Sequence, residues 1–326
     1  MKHLLLLVSF LIFGQLGTWA ESAKIILQHG DEATFFKSDQ LQEAVDAAKD
    51  GDVINLNEGT FSSTKYGEVR FDSSSDYCYH ISVNKNITFI GAGATKTIIN
   101  NVMVIENNCS LTIEGIDILD FTNAGNVKKL YISRCKCRRL YISLCDKKYD
   151  GGYVFYPSYN IENLILSQCI ISTFWKTYIS GGKNGLISGI VQNCSIGDIN
   201  VDGLSYNNCN IRGINNTYLD IKNSIISFVD QPYSNIEKCL YYTNSDYNYE
   251  YNWKSEVALF DNDGNCVLTD EQLMNAGYIG TDGTVIGING GIGFSLIPNR
   301  PMVSDFKINV DSKTKKMRIN LKVTGK

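Results

Sequence analysis

Proline and histidine are scarce in this chain of 326 residues, which has 4 prolines against 28 glycines and only 3 histidines. The shortage of proline argues against collagen and against proline-rich linkers. Charged residues make up 20% and apolar residues 44%, so the chain has enough apolar content to bury a sizeable core. The formal net charge of −4 argues against a general nucleic-acid-binding protein, and we expect no nucleic-acid partner.

Residues 1–20 have the pattern of a secretory signal peptide. Lys2 precedes the apolar run 4–13, and Ala20 ends the segment before the polar Glu21. A membrane anchor is the alternative, but a run of this length covers only about half of a bilayer core. The sequence therefore predicts export to the periplasm, the cell surface or the extracellular space. No later apolar run reaches the roughly 18 residues of a membrane helix, so we expect no membrane span in the mature chain.

A frame of apolar residues and cysteine repeats through the middle of the chain. Its form is Leu-x-Ile-x-x-Cys, in which apolar and polar residues alternate as they do in a strand. The residue before the last position is often asparagine, as at Asn108, and asparagine tolerates the left-handed conformation of a tight bend. Short strands joined by such bends predict a parallel β-solenoid. The last position of the frame falls at Cys109, Cys135, Cys145, Cys169, Cys194, Cys209, Ser224 and Cys239.

Two questions about this repeat stay open in the sequence. The interval between Cys135 and Cys145 is too short for a full coil, so the register of residues 128–160 is not fixed. An antiparallel β-sandwich also has short alternating strands. It needs hairpin signals such as Asn-Gly and Asp-Gly, however, and these are sparse before residue 260.

Ten cysteines in an exported chain first suggest disulfides. Most of them, however, recur beside the same inward apolar positions. Stacked coils lie about 4.8 Å apart with parallel side chains, whereas a disulfide needs Cβ atoms about 3.8 Å apart. We therefore expect free, buried thiols. Cys135 and Cys137 lack the spacing of a zinc knuckle and have no histidine near them, so we expect no metal site.

An amphipathic helix is predicted near residue 40. Asp39 and Gln42 have the spacing of a capping box, and apolar residues recur at the helical period from Leu41 to Ala48. Gly51 stands at the position of a C-terminal cap.

The stretch LQEAVDAAKDGDVINLNEGTF, residues 41–61, resembles the N-terminal cap and first coil of pectin lyase-like proteins, and residues 281–291 are similar to the closing segment of secreted bacterial members. The resemblance implies an all-β fold, a right-handed parallel β-helix with an N-terminal capping helix that plugs its apolar end. We expect this domain over residues 21–295 and a C-terminal β extension over 296–326. Alternating apolar residues on either side of residues 312–316 predict that the extension is a β-hairpin.

Many members of that superfamily are polysaccharide lyases or glycoside hydrolases, but no catalytic motif is identified in this chain. When the units are stacked on their cysteines, Asp198 and Asp202 fall level with residues that are not acidic. The histidine, arginine and lysine motifs of the superfamily's polygalacturonases and calcium-dependent lyases are absent. The catalytic residues therefore stay unknown. We expect no cofactor, with Ca²⁺ as the exception if the protein is a lyase.

Basic and aromatic residues concentrate between residues 128 and 178. Residues 128–148 contain eight Lys and Arg residues and one acid, Asp146, which suits uronates, sulfates and other anionic polymers. Exposed aromatic rings offer flat faces to sugars. An ordinary solvated face and a loop packed on its own solenoid are the alternatives. The candidate substrate-binding residues are Lys136, Arg138, Arg139, Tyr153, Tyr156, Trp175 and Tyr178.

Three functions are compatible with these features. The first is a monomeric protein that binds acidic polysaccharide or cell-surface glycan along the solenoid. The second is a lyase or hydrolase that acts on uronate-containing glycans. The third is a structural or adhesive surface protein, because solenoids provide long, rigid contact faces.

Overall fold

A computed structural model describes most of the chain. The described residues are 24–65, 68–70, 77–106, 108–142, 148–150, 153–155, 159–176, 186–215, 219–227, 235–242, 250–298, 302–310 and 317–324. Only the backbone is described for 68–70, 77–78, 148–150, 153–155, 302–310 and 317–324. The predicted signal peptide, residues 1–20, lies outside the described residues.

Strands dominate the described residues, with two short helices, α1 (Leu41–Ala47) and α2 (Asp270–Asn275). The strands are β1 (Lys24–His29), β2 (Glu32–Lys37), β3 (Val53–Leu56), β4 (Gly59–Phe61), β5 (Glu68–Arg70), β6 (Tyr77–Val83), β7 (Ile87–Ile90), β8 (Thr97–Ile105), β9 (Cys109–Glu114), β10 (Asp117–Asn123), β11 (Val127–Ser133), β12 (Lys136–Ile142), β13 (Lys148–Asp150), β14 (Tyr153–Phe155), β15 (Ile161–Ser167), β16 (Ile170–Lys176), β17 (Ile187–Gln192), β18 (Ser195–Asn200), β19 (Leu204–Asn207), β20 (Asn210–Ile214), β21 (Asp220–Lys222), β22 (Ile225–Ser227), β23 (Asn235–Glu237), β24 (Leu240–Tyr242), β25 (Trp253–Ser255), β26 (Met302–Val310) and β27 (Met317–Thr324).

Two long sheets form a right-handed parallel β-helix, which confirms the predicted fold class. Sheet A has the order β2-β1-β3-β7-β9-β11-β15-β17-β19-β21-β23. Sheet B has the order β25-β24-β22-β20-β18-β16-β12-β10-β8-β6-β5, and β4 also pairs with β8. From β7 and β8 onward, strands of consecutive coils pair in parallel, so the sandwich alternative is wrong. Inward side chains of both sheets form one continuous buried core along the solenoid.

Most coils pass from sheet A to sheet B through one residue with a left-handed backbone. The angle φ is 54° at Arg134, 57° at Gln168, and between 51° and 52° at Asn193, Asn208 and Asn223. The predicted asparagine bends are therefore confirmed at three consecutive coils. Asparagine adopts this conformation at lower cost than most side chains because its amide can bond locally.

A column of small side chains follows these bends and fixes the register of the repeat. Each thiol donates to the carbonyl two residues earlier, with Sγ···O distances of 3.1–3.3 Å. The one hydroxyl in the column makes the same bond at 2.6 Å. Cysteine thus recurs because the bend needs a small buried side chain with a weak donor. The column consists of Cys135, Cys169, Cys194, Cys209, Ser224 and Cys239.

The remaining cysteines lie elsewhere. Cys109 pairs with Val127 at the start of the sheet A strands, so its place in the repeated frame was wrong. Cys145 lies outside the described residues. The eight cysteines whose side chains are described are free thiols, and all of them except Cys266 are buried, as predicted.

Helix α1 lies at the first end of the solenoid and buries Leu41, Ala44 and Val45 there. Its predicted capping box is wrong, because Gln40 is the N-cap and its side chain makes no capping bond within the described residues. The Gln42 side chain instead bonds the backbone of Ser82 in β6. Its Oε1 accepts from the Ser82 backbone N–H at 2.7 Å, and its Nε2 donates to the Ser82 carbonyl.

The C-terminal cap of α1 is also not where the sequence predicts it. It is Ala48, with φ of −65°, and Gly51 (φ 90°) lies in the turn that follows.

Residues 279–298, here called the C-terminal strap, run back along the corner between the two sheets. The close approach requires glycine at Gly287 (φ 87°), where a Cβ would lie 2.7 Å from Asn210 Oδ1. The strap therefore covers the bends of five coils. Its hydrogen bonds to them join Asn223 Oδ1 to the Thr281 amide (2.8 Å), Asn208 Nδ2 to Asp282 Oδ2 (2.9 Å), Asn193 Nδ2 to the Ile288 carbonyl (2.9 Å), Gln168 Nε2 to the Gly293 carbonyl (2.7 Å) and Arg134 Nη1 to the Ile297 carbonyl (3.2 Å).

The chain ends in the predicted hairpin, in which β26 and β27 pair antiparallel, with Phe306 opposite Leu321 and Ile308 opposite Ile319. Among the described residues, no helix has the length and apolar character needed to cross a membrane.

Candidate functional site

The outer face of sheet B brings basic and aromatic side chains together. The parallel register places Asp120 beside Arg139 and Arg139 beside Thr173, while Tyr141 lies beside Trp175. Residues two apart on a strand share a face. The column that contains Arg139 and the column that contains Tyr141 are therefore adjacent on that face. We call this surface the sheet B shelf. It consists of Asp120, Arg138, Arg139, Tyr141, Thr173 and Trp175.

Two aromatic rings form one side of the shelf. Tyr141 and Trp175 meet edge to face, with ring centroids 6.4 Å apart and an interplanar angle of 80°. Tyr141 is partly buried against Val102 and Val104, which steadies the pair, and Trp175 is 38% exposed. An indole held in this way presents a flat apolar surface with a polar edge, which suits a sugar ring.

Two arginines clamp one buried carboxylate beside the aromatic pair. Asp120 Oδ2 accepts from Nη2 of both Arg138 and Arg139, each at 2.7 Å, and Oδ1 accepts from Arg139 Nε at 2.8 Å. The Asp120 side chain is fully buried, whereas Arg138 is 50% exposed and Arg139 is 14% exposed. The cluster carries a net charge of +1, and Arg138 presents most of it to solvent.

Lys136 lies at the start of the same strand, β12, beside Asp117 of the preceding coil. Burial raises the pKa of Asp117, and the positive charge of Lys136 opposes that shift. The Lys136 side chain is partly exposed, so it adds positive charge near the shelf.

The basic residues of 128–142 do not share one face, because the coil turns between them. Lys128 and Lys129 are exposed on sheet A, in β11. Arg134 is nearly buried in the bend, where its Nε donates to Gln168 Oε1 at 2.7 Å. Positive charge on the shelf therefore comes from the arginine clamp, and Lys136 adds positive charge beside it.

Three of the candidate aromatic residues are not placed on this surface. Tyr153 lies in β14, of which only the backbone is described. Tyr156 and Tyr178 lie outside the described residues.

Sequence reasoning missed Asp120 and Tyr141. The signal that finds them is the pairing of β10 with β12 and of β12 with β16, which aligns Asp120 with Arg139 and Tyr141 with Trp175. An alignment of the repeats on their cysteines leaves out β10. The bend before β10 is at Gly115, and the residue after it is not a cysteine.

Asp120 and Asp198 lie in the same column of sheet B, but they are too far apart to act as a glycosidase pair. Asp198 lies three coil steps from Asp120, which is about 14 Å at about 4.8 Å a step. Glycoside hydrolysis requires two carboxyl groups about 5 to 9.5 Å apart. Within the described residues, no three His, Cys, Asp or Glu side chains come together in a way that would hold a metal ion.

Comparisons with known proteins add no assignment to this geometry. No protein-family model matches the chain. No curated protein and no solved structure matches it either. The fold therefore rests on the strand pairing, and function must be argued from the side chains.

Proposed function

We propose that the protein is an exported carbohydrate-binding β-helix that holds an acidic polysaccharide on the sheet B shelf. The observation that supports the proposal is the Tyr141–Trp175 pair beside the clamp formed by Arg138, Asp120 and Arg139. The exposed indole contacts the apolar face of a sugar ring. In this proposal the Arg138 guanidinium, which lies on the strand that pairs with the strand of Trp175, binds a uronate carboxylate or a sulfate of the same polymer chain.

The clamp itself favours binding over cleavage. Both Asp120 oxygens accept bonds from arginine, so this carboxylate is held as an anchor for the guanidinium groups rather than as a base. In this proposal Asp120 orients Arg138, and the polymer lies across neighbouring coils. Membership of the pectin lyase-like superfamily is part of the same proposal, and it is supported by the β-helix and by the helix at its first end.

Retardation gels with polygalacturonate, alginate, heparin and a neutral glucan test the proposal. We expect at least one acidic polymer to retard the protein and Arg138→Gln to weaken that retardation. The matched control is Arg212→Gln, which removes the same charge from an exposed position on β20 of the same sheet. Binding through Arg138 weakens as salt rises, because charges are screened over about 8 Å at physiological ionic strength.

The aromatic contribution is tested separately. Trp175→Ala should weaken retardation to a similar extent at low and high salt, because stacking does not depend on charge. Tyr251→Ala, which removes an exposed aromatic ring outside the shelf, serves as its control. Failure of every acidic polymer to bind would refute the proposal. Release of unsaturated products, measured by ultraviolet absorbance, would show that the protein is a lyase rather than a binding protein.

A further inference from the structure

A second concave site lies between sheet B, the loop before α2 and the C-terminal strap. Its volume is about 530 Å³, within the roughly 300–1,000 Å³ of small-molecule sites. Its floor is one column of sheet B, in which Ile170, Ser195, Asn210 and Ile225 occupy the same position of four consecutive coils. Its lining shares no residue with the sheet B shelf.

The walls of this cavity are fixed to one another by hydrogen bonds. Asn210 Oδ1 accepts from the Ile288 amide of the strap at 3.1 Å. Asn289 Nδ2 of the strap donates to Asp270 Oδ1 at the start of α2, also at 3.1 Å. The strap, the loop and sheet B therefore hold the cavity open, and a ligand need not assemble it.

The lining combines buried apolar side chains with a polar rim. Ile225, Leu273 and Ile286 are buried at the bottom, and Phe294 adds an aromatic ring. Asn265, Thr269 and Asn289 are exposed at the rim, where amide and hydroxyl groups can both donate and accept. A sugar has a matching construction, with apolar C–H faces and hydroxyl groups around its edge.

Charge decides which class of sugar fits. Asp270 is the one acidic or basic side chain among the residues that line the described cavity, and Arg212 approaches only its edge, at Gly264. A carboxylate accepts hydrogen bonds from sugar hydroxyls but repels a uronate. We propose that this cavity is a second carbohydrate site, which binds a neutral mono- or disaccharide. This site does not depend on the shelf.

Cys266 provides a reporter for the test because it lines the cavity and is only partly buried. Burial raises the pKa of its thiol, so alkylation by iodoacetamide is followed at alkaline pH and assigned to Cys266 by peptide mass spectrometry. The probes are glucose, galactose, mannose, xylose, N-acetylglucosamine, cellobiose and galacturonate. A sugar at about nine times its Kd slows alkylation by about tenfold, because only unoccupied protein reacts.

Two variants separate occupancy of the cavity from an effect on the fold. Ser195→Ile fills the floor with a side chain that the same column already holds at Ile170 and Ile225, and it should abolish protection. Ser172→Ile makes the same change at an exposed position of β16 and should preserve it. If Ser195→Ile does not fold, Asp270→Asn, with Glu271→Gln as its control, should alter protection at the rim instead.

Three outcomes would overturn the proposal. The first is that no neutral sugar slows alkylation of Cys266. The second is protection of equal strength in the folded Ser195→Ile variant. The third is protection by galacturonate that equals protection by galactose.

Discussion

Asp120→Asn should lower the free energy of unfolding more than other single substitutions in the sheet B shelf. The change keeps the shape of the side chain but replaces one carboxylate oxygen with an NH₂ group. In one orientation this group faces Nη2 of both Arg138 and Arg139, which now lie 2.7 Å from Oδ2. In the other orientation it faces Nε of Arg139, 2.8 Å from Oδ1. Either way a donor meets donors, and the charge that both guanidinium groups need is lost.

The magnitude follows from burial. Removing one partner of a buried ion pair costs about 3–5 kcal/mol, and we expect about 3 kcal/mol because one acceptor oxygen remains. With an m-value of about 3 kcal/mol/M in urea, the midpoint of unfolding falls by about 1 M. Arg138→Gln is the control, since Arg138 is half exposed and its loss should cost at most about 1 kcal/mol.

Urea unfolding of the wild type and the two variants, followed by circular dichroism, measures these values. A free energy of unfolding for Asp120→Asn within about 0.5 kcal/mol of the wild type, the range of ordinary surface substitutions, would show that the arginines do not depend on this carboxylate. The same geometry makes Arg138 alone the better variant for binding tests, because removing Arg139 as well would leave Asp120 buried without either arginine.

Three further predictions concern the solenoid. Cys209→Ala should cost about 2 kcal/mol in urea unfolding and Cys209→Ser at most about 1, because a hydroxyl already fills the equivalent position of the next coil; the reverse order would contradict the bend bond. Val45→Asp should cost several kcal/mol and lower soluble yield by exposing the end of the sheets, so a soluble, stable variant would count against the cap. Burial alone would raise the pKa of Asp52, but hydrogen bonds from the Lys49 amide and with His29 prevail and lower it. Its contribution to stability is therefore present above the unfolded pKa of about 3.9 and is lost as pH falls through the lower folded value. The stability difference between the wild type and Asp52→Asn should shrink below about pH 4. A difference that does not change with pH would contradict the lowered pKa.

The sequence predicts the solenoid well because its signal is local and repeated. Each bend needs a residue that tolerates positive φ and then a small buried side chain, and both requirements fall within a few residues of each other at Asn193, Asn208 and Asn223. The capping box near α1 misleads for the opposite reason. Gln42 is used in a contact with Ser82, 40 residues away, and no local pattern reports such a contact.

The candidate site could be predicted only in part, because its register depends on pairing across irregular intervals. Arg138, Arg139 and Trp175 stand out by composition, but their relation to Asp120 needs the alignment of β10 with β12. The cavity beside the C-terminal strap is harder to predict from sequence. Its walls are joined by a hydrogen bond between β20 and a residue 78 positions later in the chain. Contacts of that range carry no periodic signal.

Hydroxyl-radical footprinting of Trp175 shows whether an acidic polymer covers the sheet B shelf. The protein is oxidised with and without the acidic polymer that retards it most in the gel panel, and the oxidised peptides are quantified by mass spectrometry. We expect saturating polymer to slow oxidation of the peptides that contain Trp175 and Tyr141. Tyr251, which is 75% exposed outside the shelf, should react at an unchanged rate. Unchanged oxidation of Trp175 under saturating polymer would contradict binding on the sheet B shelf.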